Sequence, residues 1–114
     1  MKDTLFLLKP GFSNAGLGPL YCGDSVSVEG MLSFFPELRE MVDVHYIDFA
    51  RPRQDLVSRL GEDNQSVPVL VLDDGVSVKD HGIVPQKAGD VRFLADERLI
   101  RRYFSAQYGL PQAG

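Results

Sequence analysis

The sequence is poor in the residues that build disulfides and metal sites. Its 114 residues include one cysteine, Cys22, and two histidines, His45 and His81. A single cysteine excludes an internal disulfide and gives no extracellular signature. The two histidines are separated in sequence and lack the spacing of metal ligands. We therefore expect no metal site and no catalytic histidine.

Positive charge and long apolar runs are also scarce. The chain has 12 Lys and Arg against 16 Asp and Glu, which gives a net charge of −4 and a pI near 5.0. This balance gives no electrostatic reason to expect nucleic acid, and it disfavours an anionic membrane surface. No apolar run approaches transmembrane length, and the start of the chain lacks a signal-peptide pattern. We expect a cytoplasmic protein with a single domain at residues 1–114.

Short apolar runs alternating with helical stretches predict an α/β fold. Helical spacing of apolar residues follows Cys22, breaks at Pro36, and recurs before Gly61 and after Asp96. Residues 10–21 are rich in Gly, Pro, Ser and Asn and predict a loop. Four runs are typical of strands: 4–9, 42–49, 67–72 and 91–95. The order β-α-β-α-β-β-α predicts a mixed four-stranded sheet with helices on both faces, its first two strands parallel and its last two antiparallel.

The last and second helices carry recognisable end signals. Asp96 is a good N-cap, Glu97 complements the helix dipole, and Gly109 ends the helix before Pro111. Pro52 suits the first turn of the second helix.

With these elements placed, the chain resembles the thioredoxin superfamily. The resemblance depends on the element order, on a cysteine at the start of the first helix, and on Ser-Val-Pro at the start of the third strand. The segment "QSVPVLVLDDG" is similar to the third-strand segment of glutathione-transferase N-terminal domains, and "LFLLK…YCGDS" is similar to monothiol glutaredoxins. More narrowly, the whole string resembles a small, functionally uncharacterised bacterial thioredoxin-like family. The resemblance implies a thioredoxin-like fold over nearly the whole chain.

Three departures from these families bear on activity. The run from Lys9 to Cys22 is longer than in monothiol glutaredoxins, and Asp24 stands where they carry an aromatic residue. The all-helical second domain of a glutathione transferase does not follow the third helix. Because that domain carries the site for the electrophilic substrate, we do not expect a full transferase.

Cys22 is the candidate nucleophile. A thiol at a helix N-terminus lies at the positive end of the helix dipole, which favours the reactive thiolate. The alternative is a small buried residue whose ionisation is opposed by the nearby carboxylate of Asp24. With only Ser25 at the second position of the motif, any redox cycle would need an external thiol, for which glutathione is our candidate.

The resemblance also implies a cis peptide bond before Pro68. Such a bond would turn the backbone N–H and C=O of Val67 outward beside Cys22, ready to pair with a peptide-like thiol. The alternative is a trans proline on an edge strand.

Charged residues supply candidates for the two ends of glutathione. In glutathione-binding relatives the γ-glutamyl end docks at the start of the last helix, where Asp96 or Glu97 would meet its ammonium group. Plain helix capping explains both residues equally well. Lys9 matches the glutaredoxin lysine by position, and with Arg51 and Arg53 it is a candidate for the glycyl carboxylate. The alternative is that these three are solvated charges.

A second register of the chain is open. A hairpin through residues 73–75 would move the ligand-facing pair to Asp80 and His81. The following segment "GIVPQKAG" is a poor helix because Gly and Pro interrupt it, which favours the later register. Residues 73–90 then form a long insertion that could act as a lid or a partner surface.

The leading hypothesis is a glutathione-binding, glutaredoxin-like domain that performs monothiol exchange through Cys22. The alternative is a non-catalytic thioredoxin-fold module that binds a protein partner, which Asp24, the missing second cysteine and the insertion favour. A third hypothesis is an iron–sulfur cluster held between two chains with glutathione. Dimerisation through an exposed edge strand is also open. The expected partner is therefore a small thiol or a protein.

Overall fold

The computed structural model describes residues 2–114, which contain seven strands and four helices. In chain order these are β1 (Asp3–Leu8), β2 (Phe12–Asn14), β3 (Leu17–Leu20), α1 (Gly23–Phe34), α2 (Leu38–Met41), β4 (Val42–Ile47), α3 (Gln54–Leu60), β5 (Val69–Val71), β6 (Gln86–Ala88), β7 (Val91–Leu94) and α4 (Glu97–Tyr108).

Five of these strands form one mixed sheet in the order β4-β1-β5-β7-β6. β1 and β4 are parallel, as expected for two strands joined by a helical crossover. β5 is antiparallel to both β1 and β7, and β6 is antiparallel to β7. The predicted α/β class, the parallel first pair and the antiparallel last pair are therefore confirmed.

The prediction of four strands is wrong, because β6 adds a fifth strand at the edge of the sheet. β6 is short and carries exposed Gln86 and Lys87, so it lacks the apolar signal of a buried strand. A tight turn joins it to β7, with Gly89 in the left-handed region at φ 61°. The later register is confirmed by the pairing of Leu70 with Leu94, which rules out the hairpin through residues 73–75.

The loop predicted at residues 10–21 contains a hairpin instead. β2 and β3 form a separate two-stranded sheet, in which Asn14 pairs with Leu17. The two residues between them, Ala15 and Gly16, both have positive φ (53° and 76°), as a two-residue hairpin turn requires. The composition hid the strands because their residues are mostly exposed and show no alternation of apolar and polar side chains.

The sheet separates two buried clusters. The first cluster includes Leu5 and Leu7 and packs against α1, α2 and α4. The second cluster includes Phe6 and Leu8 and packs against α3. Because successive residues of a strand point to opposite faces, every residue of β1 is buried. Helices on both faces of the sheet are therefore confirmed.

The helix ends follow the predicted signals in most places. α1 ends at Phe34 and α2 begins at Leu38, so Pro36 breaks the helix as expected. The Asp96 carboxylate accepts hydrogen bonds from the N–H groups of residues 98 and 99, and Gly109 ends α4 at φ 68°. The placement of Pro52 inside the second helix is wrong, since α3 begins at Gln54.

The insertion at residues 73–90 packs against the body of the domain. Ile83 is buried in the first cluster. One guanidinium nitrogen of Arg92 donates to three carbonyl oxygens of the insertion, those of residues 73, 74 and 76. The Asp80 carboxylate accepts two hydrogen bonds from Arg102 on α4. These contacts attach the insertion to β7 and α4.

A buried carboxylate connects the first strand to the last helix. Asp3 is only 3% exposed. One carboxylate oxygen accepts hydrogen bonds from the hydroxyls of Tyr103 (2.5 Å) and Tyr108 (3.2 Å), and the other accepts from the backbone N–H of Asp73 (2.7 Å). Burial, together with the adjacent carboxylate, raises the pKa of both tyrosines above the ordinary value. Both phenols therefore remain protonated donors at neutral pH.

Removing one of these donors should destabilise the fold. Tyr103→Phe keeps the buried ring but leaves Asp3 with one fewer hydrogen bond, and a bond to a charged group contributes about 1.5–3 kcal/mol. We expect a loss of that size in the free energy of unfolding, measured by urea denaturation. Tyr21→Phe is the matched control, because Tyr21 is 66% exposed and its change should stay within about 0.5 kcal/mol. Equal stability of Tyr103→Phe and the wild type would contradict the role given to Asp3.

Candidate functional site

The thiol lies where the sequence predicts it, at the start of α1. Cys22 is the N-cap residue, with extended backbone dihedrals, and its Sγ accepts a hydrogen bond from the backbone N–H of Ser25 at 3.4 Å. The side chain is half-buried and packs against the second cluster. The sulfur is thus neither sealed in the core nor fully exposed.

Ser25 has a structural role at this position. It is buried, and its Oγ accepts a hydrogen bond from the backbone N–H of Leu8 at 3.1 Å. The pairing of β1 with β5 ends at Phe6, so the N–H of Leu8 lies beyond the ladder and needs another acceptor. Ser25 supplies that acceptor and attaches the first turn of α1 to the end of β1.

The peptide bond between Val67 and Pro68 is cis, as the resemblance implies, and the trans alternative is wrong. Pro68 is buried, whereas Val67 is half-buried and packs against the same cluster as Cys22. Two further cis bonds, which were not predicted from the sequence, precede Pro19 in the hairpin and Pro52 before α3.

Arg53 is buried near the thiol and is not a solvated charge. Its Nε and Nη2 donate to the carbonyl oxygen of Phe49 (3.1 and 2.8 Å), and its Nη1 donates to that of Gln65 (2.7 Å). Burial lowers the pKa of Arg53, the charge of Arg51 lowers it further, and Cys22 acts in the opposite direction. Three of its donors therefore hold two loops together within electrostatic range of Cys22.

Two aromatic rings extend this arrangement to the hairpin. The ring of Phe12 stacks on that of Phe49, with centroids 4.5 Å apart and planes 4° from parallel. The guanidinium of Arg53 lies 5.5 Å from the centroid of Phe49. Phe12, Phe49 and Gln65 were not among the residues predicted for the site, because Phe12 lies in the predicted loop and Phe49 at the end of a predicted strand, where no local pattern indicates their stacking.

Two clefts open at this edge of the sheet. One has a volume of about 410 Å³ and is lined by Lys9, Tyr46 and residues 47–55, apart from Phe49. The other has a volume of about 330 Å³, contains Cys22, and is lined by parts of β1, α1 and the end of the hairpin. Tyr46 lines both clefts. The cleft that contains Cys22 therefore faces α1 and β4.

The remaining predicted cations lie at the first cleft. Lys9 Nζ is 3.3 Å from Asp48 Oδ1, and both side chains are largely exposed, so this ion pair contributes little to stability. Arg51 is exposed. The structure therefore groups Lys9 with Arg51, beside the cleft that contains the thiol.

The two carboxylates at the start of α4 differ in their contacts. Asp96 is exposed and caps the helix. Glu97 Oε2 accepts hydrogen bonds from Arg101 Nε (2.9 Å) and from the Ser27 hydroxyl (2.7 Å). The hydrogen bond from Arg101, followed by that from Ser27, lowers the pKa of Glu97. Glu97 therefore links α4 to α1, which plain capping did not predict.

The described part of the chain offers no obvious metal or membrane-spanning element. Within residues 2–114, no three side chains of His, Cys, Asp or Glu gather closely enough to hold a metal ion. Over the same range, none of the helices combines the length and the hydropathy needed to cross a bilayer.

The fold and the site define a small α/β domain with one half-buried thiol at the start of a helix. A family model described as "Protein of unknown function (DUF3088)" matches residues 2–112, and the chain belongs to this family. No curated protein and no solved structure gives a significant match to the chain.

The contacts of Glu97 predict a pH-dependent contribution to stability. Because folding lowers the pKa of this carboxyl, its contribution is present above the ordinary value of 4.5 and is lost as pH falls through the folded value. We expect Glu97→Gln to be less stable than the wild type at pH 7, by up to about 1 kcal/mol. The difference should shrink below pH 4.5 in urea denaturation measured across pH.

Glu62→Gln is the control for this experiment, because Glu62 is an exposed loop carboxylate. Its difference from the wild type should be small at every pH. A Glu97→Gln difference that is constant or grows towards acid pH would contradict the assigned contacts.

Proposed function

We propose that this protein is a thioredoxin-like domain that binds glutathione and performs monothiol exchange through Cys22. The observation that carries the proposal is the half-exposed Sγ of Cys22 at the N-cap of α1, with an N–H donated to it. The strand order β4-β1-β5-β7, with only the first pair parallel, and the cis bond before Pro68 are compatible with this fold.

The proposed chemistry needs one protein sulfur and two glutathione molecules. The Cys22 thiolate attacks the glutathione sulfur of a mixed disulfide between glutathione and a substrate, which forms a Cys22–glutathione disulfide and releases the substrate thiolate. A second glutathione thiolate then attacks the glutathione sulfur, which releases oxidised glutathione and restores the Cys22 thiolate. The two glutathione sulfurs together supply the two electrons that reduce the substrate sulfur, and the substrate thiolate takes up the proton that the second glutathione loses when it ionises.

Hydrogen-bond donors and charges of both signs lie around the sulfur. The helix dipole and the N–H of Ser25 both present positive charge to the sulfur, and the buried guanidinium of Arg53 lies within electrostatic range. Asp24 acts in the opposite direction from the first turn of α1.

Internal contacts narrow the set of residues that would hold glutathione. Ser25 is buried and Glu97 is half-buried, and both already accept hydrogen bonds within the protein, so we assign them no direct ligand contact. Asp96 also accepts two N–H groups, but both bonds go to Oδ1 and its side chain is exposed. The remaining candidates are the backbone of Val67 for the cysteinyl portion, exposed Asp96 for the ammonium group, and Lys9 or Arg51 for the glycyl carboxylate.

A non-catalytic module that binds a protein is the second candidate. The observation that favours it is the internal use of polar side chains around the thiol, since Ser25, Arg53 and Glu97 all support the fold. In this case Cys22 would serve only as the N-cap of α1.

Replacing the sulfur separates the two candidates. Cys22→Ser should abolish glutathione-dependent exchange, measured with a mixed disulfide substrate, because the hydroxyl is not a thiolate nucleophile. Serine is itself a good N-cap, so the free energy of unfolding should change by less than about 1 kcal/mol. Ser33→Ala, at the exposed far end of α1, is the matched control and should retain full exchange.

Two further measurements test the reactivity of Cys22 and the binding of glutathione. Asp24→Asn should raise the alkylation rate of Cys22 several-fold at neutral pH, because it removes a negative charge from the first turn. Titration with glutathione should shift the amide NMR signals of Cys22, Val67 and Asp96. Absence of exchange, together with no shifts at these amides, would overturn the proposal in favour of the non-catalytic module.

A further inference from the structure

A second surface of the domain carries an unusually exposed aromatic side chain. Phe34, the last residue of α1, is 85% exposed. Its position follows from the helix itself: Val28, Leu32 and Phe35 point into or pack against the first cluster, which leaves Phe34 on the outer side. A phenylalanine exposed to this extent forgoes hydrophobic stabilisation, and where such a side chain is contiguous with other apolar lining the surface is typical of an interaction site.

Phe34 lines a groove between α1, α4 and the C-terminal tail. The groove has a volume of about 620 Å³, and its apolar side is formed by Met31, Phe34, Phe35 and Pro111. α1 rises about 1.5 Å per residue, so Phe34 lies about 18 Å along the helix from Cys22. The Phe34 groove is therefore separate from the thiol cleft, and binding in this groove does not require the proposed thiol exchange.

The opposite wall of the Phe34 groove is a row of arginines on one side of α4. Arg98, Arg101 and Arg102 all line it, at the i, i+3 and i+4 positions of the helix. Arg101 pairs with Glu97, and Arg102 pairs with Asp80. The three guanidiniums and these two carboxylates sum to +1, whereas the whole chain carries −4.

Arg98 is the member of this row with spare binding capacity. Its side chain is 85% exposed, and its guanidinium lies 3.9 Å from the Glu97 carboxylate, beyond hydrogen-bond distance. Arg102, in contrast, donates two hydrogen bonds to the Asp80 carboxylate, and a Cβ at Gly82 would lie 2.4 Å from its Nη2. The insertion at residues 73–90 thus fixes one end of the row beside the apolar wall.

We propose that the Phe34 groove binds an acidic amphipathic segment of a partner protein. Apolar side chains of the segment would pack on Met31, Phe34 and Pro111. Its carboxylates would pair mainly with Arg98, and secondarily with Arg101 and Arg102, which already pair with carboxylates of the protein. An apolar wall facing a cationic one is the arrangement that an amphipathic helix in a groove requires.

Charge argues against other occupants. A net charge of −4 opposes nucleic acid and anionic lipid, for which one local positive row is insufficient compensation. A two-fold dimer places the same patch of both copies in contact, and it would bring two arginine rows together. A short acidic segment carries only a few charges, which the groove's arginines can pair locally, whereas nucleic acid and anionic membranes present dense negative charge to the whole surface.

The test uses the full chain and a synthetic peptide of about three helical turns, with leucines at helical spacing and glutamates on both flanks. Binding is followed by fluorescence anisotropy of the labelled peptide and by amide NMR of the protein. We expect binding that weakens as salt increases, with shifts at Met31, Phe34 and Arg98. A peptide with Gln in place of Glu should bind weakly and without salt dependence.

Matched variants locate the interaction. Phe34→Ala and Arg98→Glu should each weaken binding about ten-fold or more, because the first removes the apolar anchor and the second reverses the charge. Val84→Ala removes an equally exposed apolar side chain elsewhere, and Lys87→Glu makes the same change in net charge on β6. Both controls should bind the peptide as the wild type does.

Each other outcome overturns the proposal. These outcomes are no binding of the acidic peptide, equal binding by the four variants, or preferential binding of vesicles that contain anionic phospholipid. Concentration-dependent dimerisation that Phe34→Ala abolishes would assign the groove to a second copy of this chain instead. All four variants change exposed side chains, and circular dichroism verifies that they fold.

Discussion

The buried carboxylate of Asp3 joins elements from the two ends of the chain. It begins the interior strand β1, whose six residues are all buried between β4 and β5. Two hydroxyls from α4 and the N–H of Asp73 after β5 satisfy its oxygens, so a charge that would be costly to bury unpaired fixes the start of β1. With that start fixed and both faces covered by apolar clusters, the position of the strand's other end is determined. The first turn of α1, which carries the thiol, is attached to that end of β1 through Ser25.

In the thiol region, polar side chains that the sequence suggests as ligand residues make hydrogen bonds within the protein instead. Ser25 accepts the last free N–H of β1, and in doing so it orients the first turn of α1 and the N-cap sulfur. Three guanidinium nitrogens of Arg53 donate hydrogen bonds to the carbonyl oxygens of Phe49 and Gln65. Buried donors and acceptors must be paired, and these pairs satisfy that requirement without any ligand. The glutathione proposal therefore relies mainly on the backbone of Val67 and on the charges at the rim, which these pairs leave uncommitted.

Elements with strong periodicity or strong end signals could be predicted from the sequence, and elements without them could not. The doubly buried run at β1, the break at Pro36 and the ends of α4 at Asp96 and Gly109 are local features that burial and capping rules describe. The strands β2, β3 and β6 are each three or four residues long and mostly exposed, so they show no apolar pattern from which a strand could be predicted. The hydrogen bond between Ser27 and Glu97 joins residues 70 positions apart, and no local sequence pattern predicts it.

The two ends of α1 differ in how many of the nearby side chains are free to contact a partner. At its N-terminal end the half-buried sulfur already accepts an N–H, and the polar residues around it are largely committed to the fold. At its C-terminal end Phe34 and the neighbouring Arg98 have almost all of their surface in water. The Ser27–Glu97 hydrogen bond holds α1 against α4, so these two side chains stand on a fixed frame. Recognition of a protein at this end requires no reactive thiol, because apolar contact and charge pairing supply it. A role in protein binding is therefore compatible with either chemical state of Cys22, whereas thiol exchange requires its thiolate.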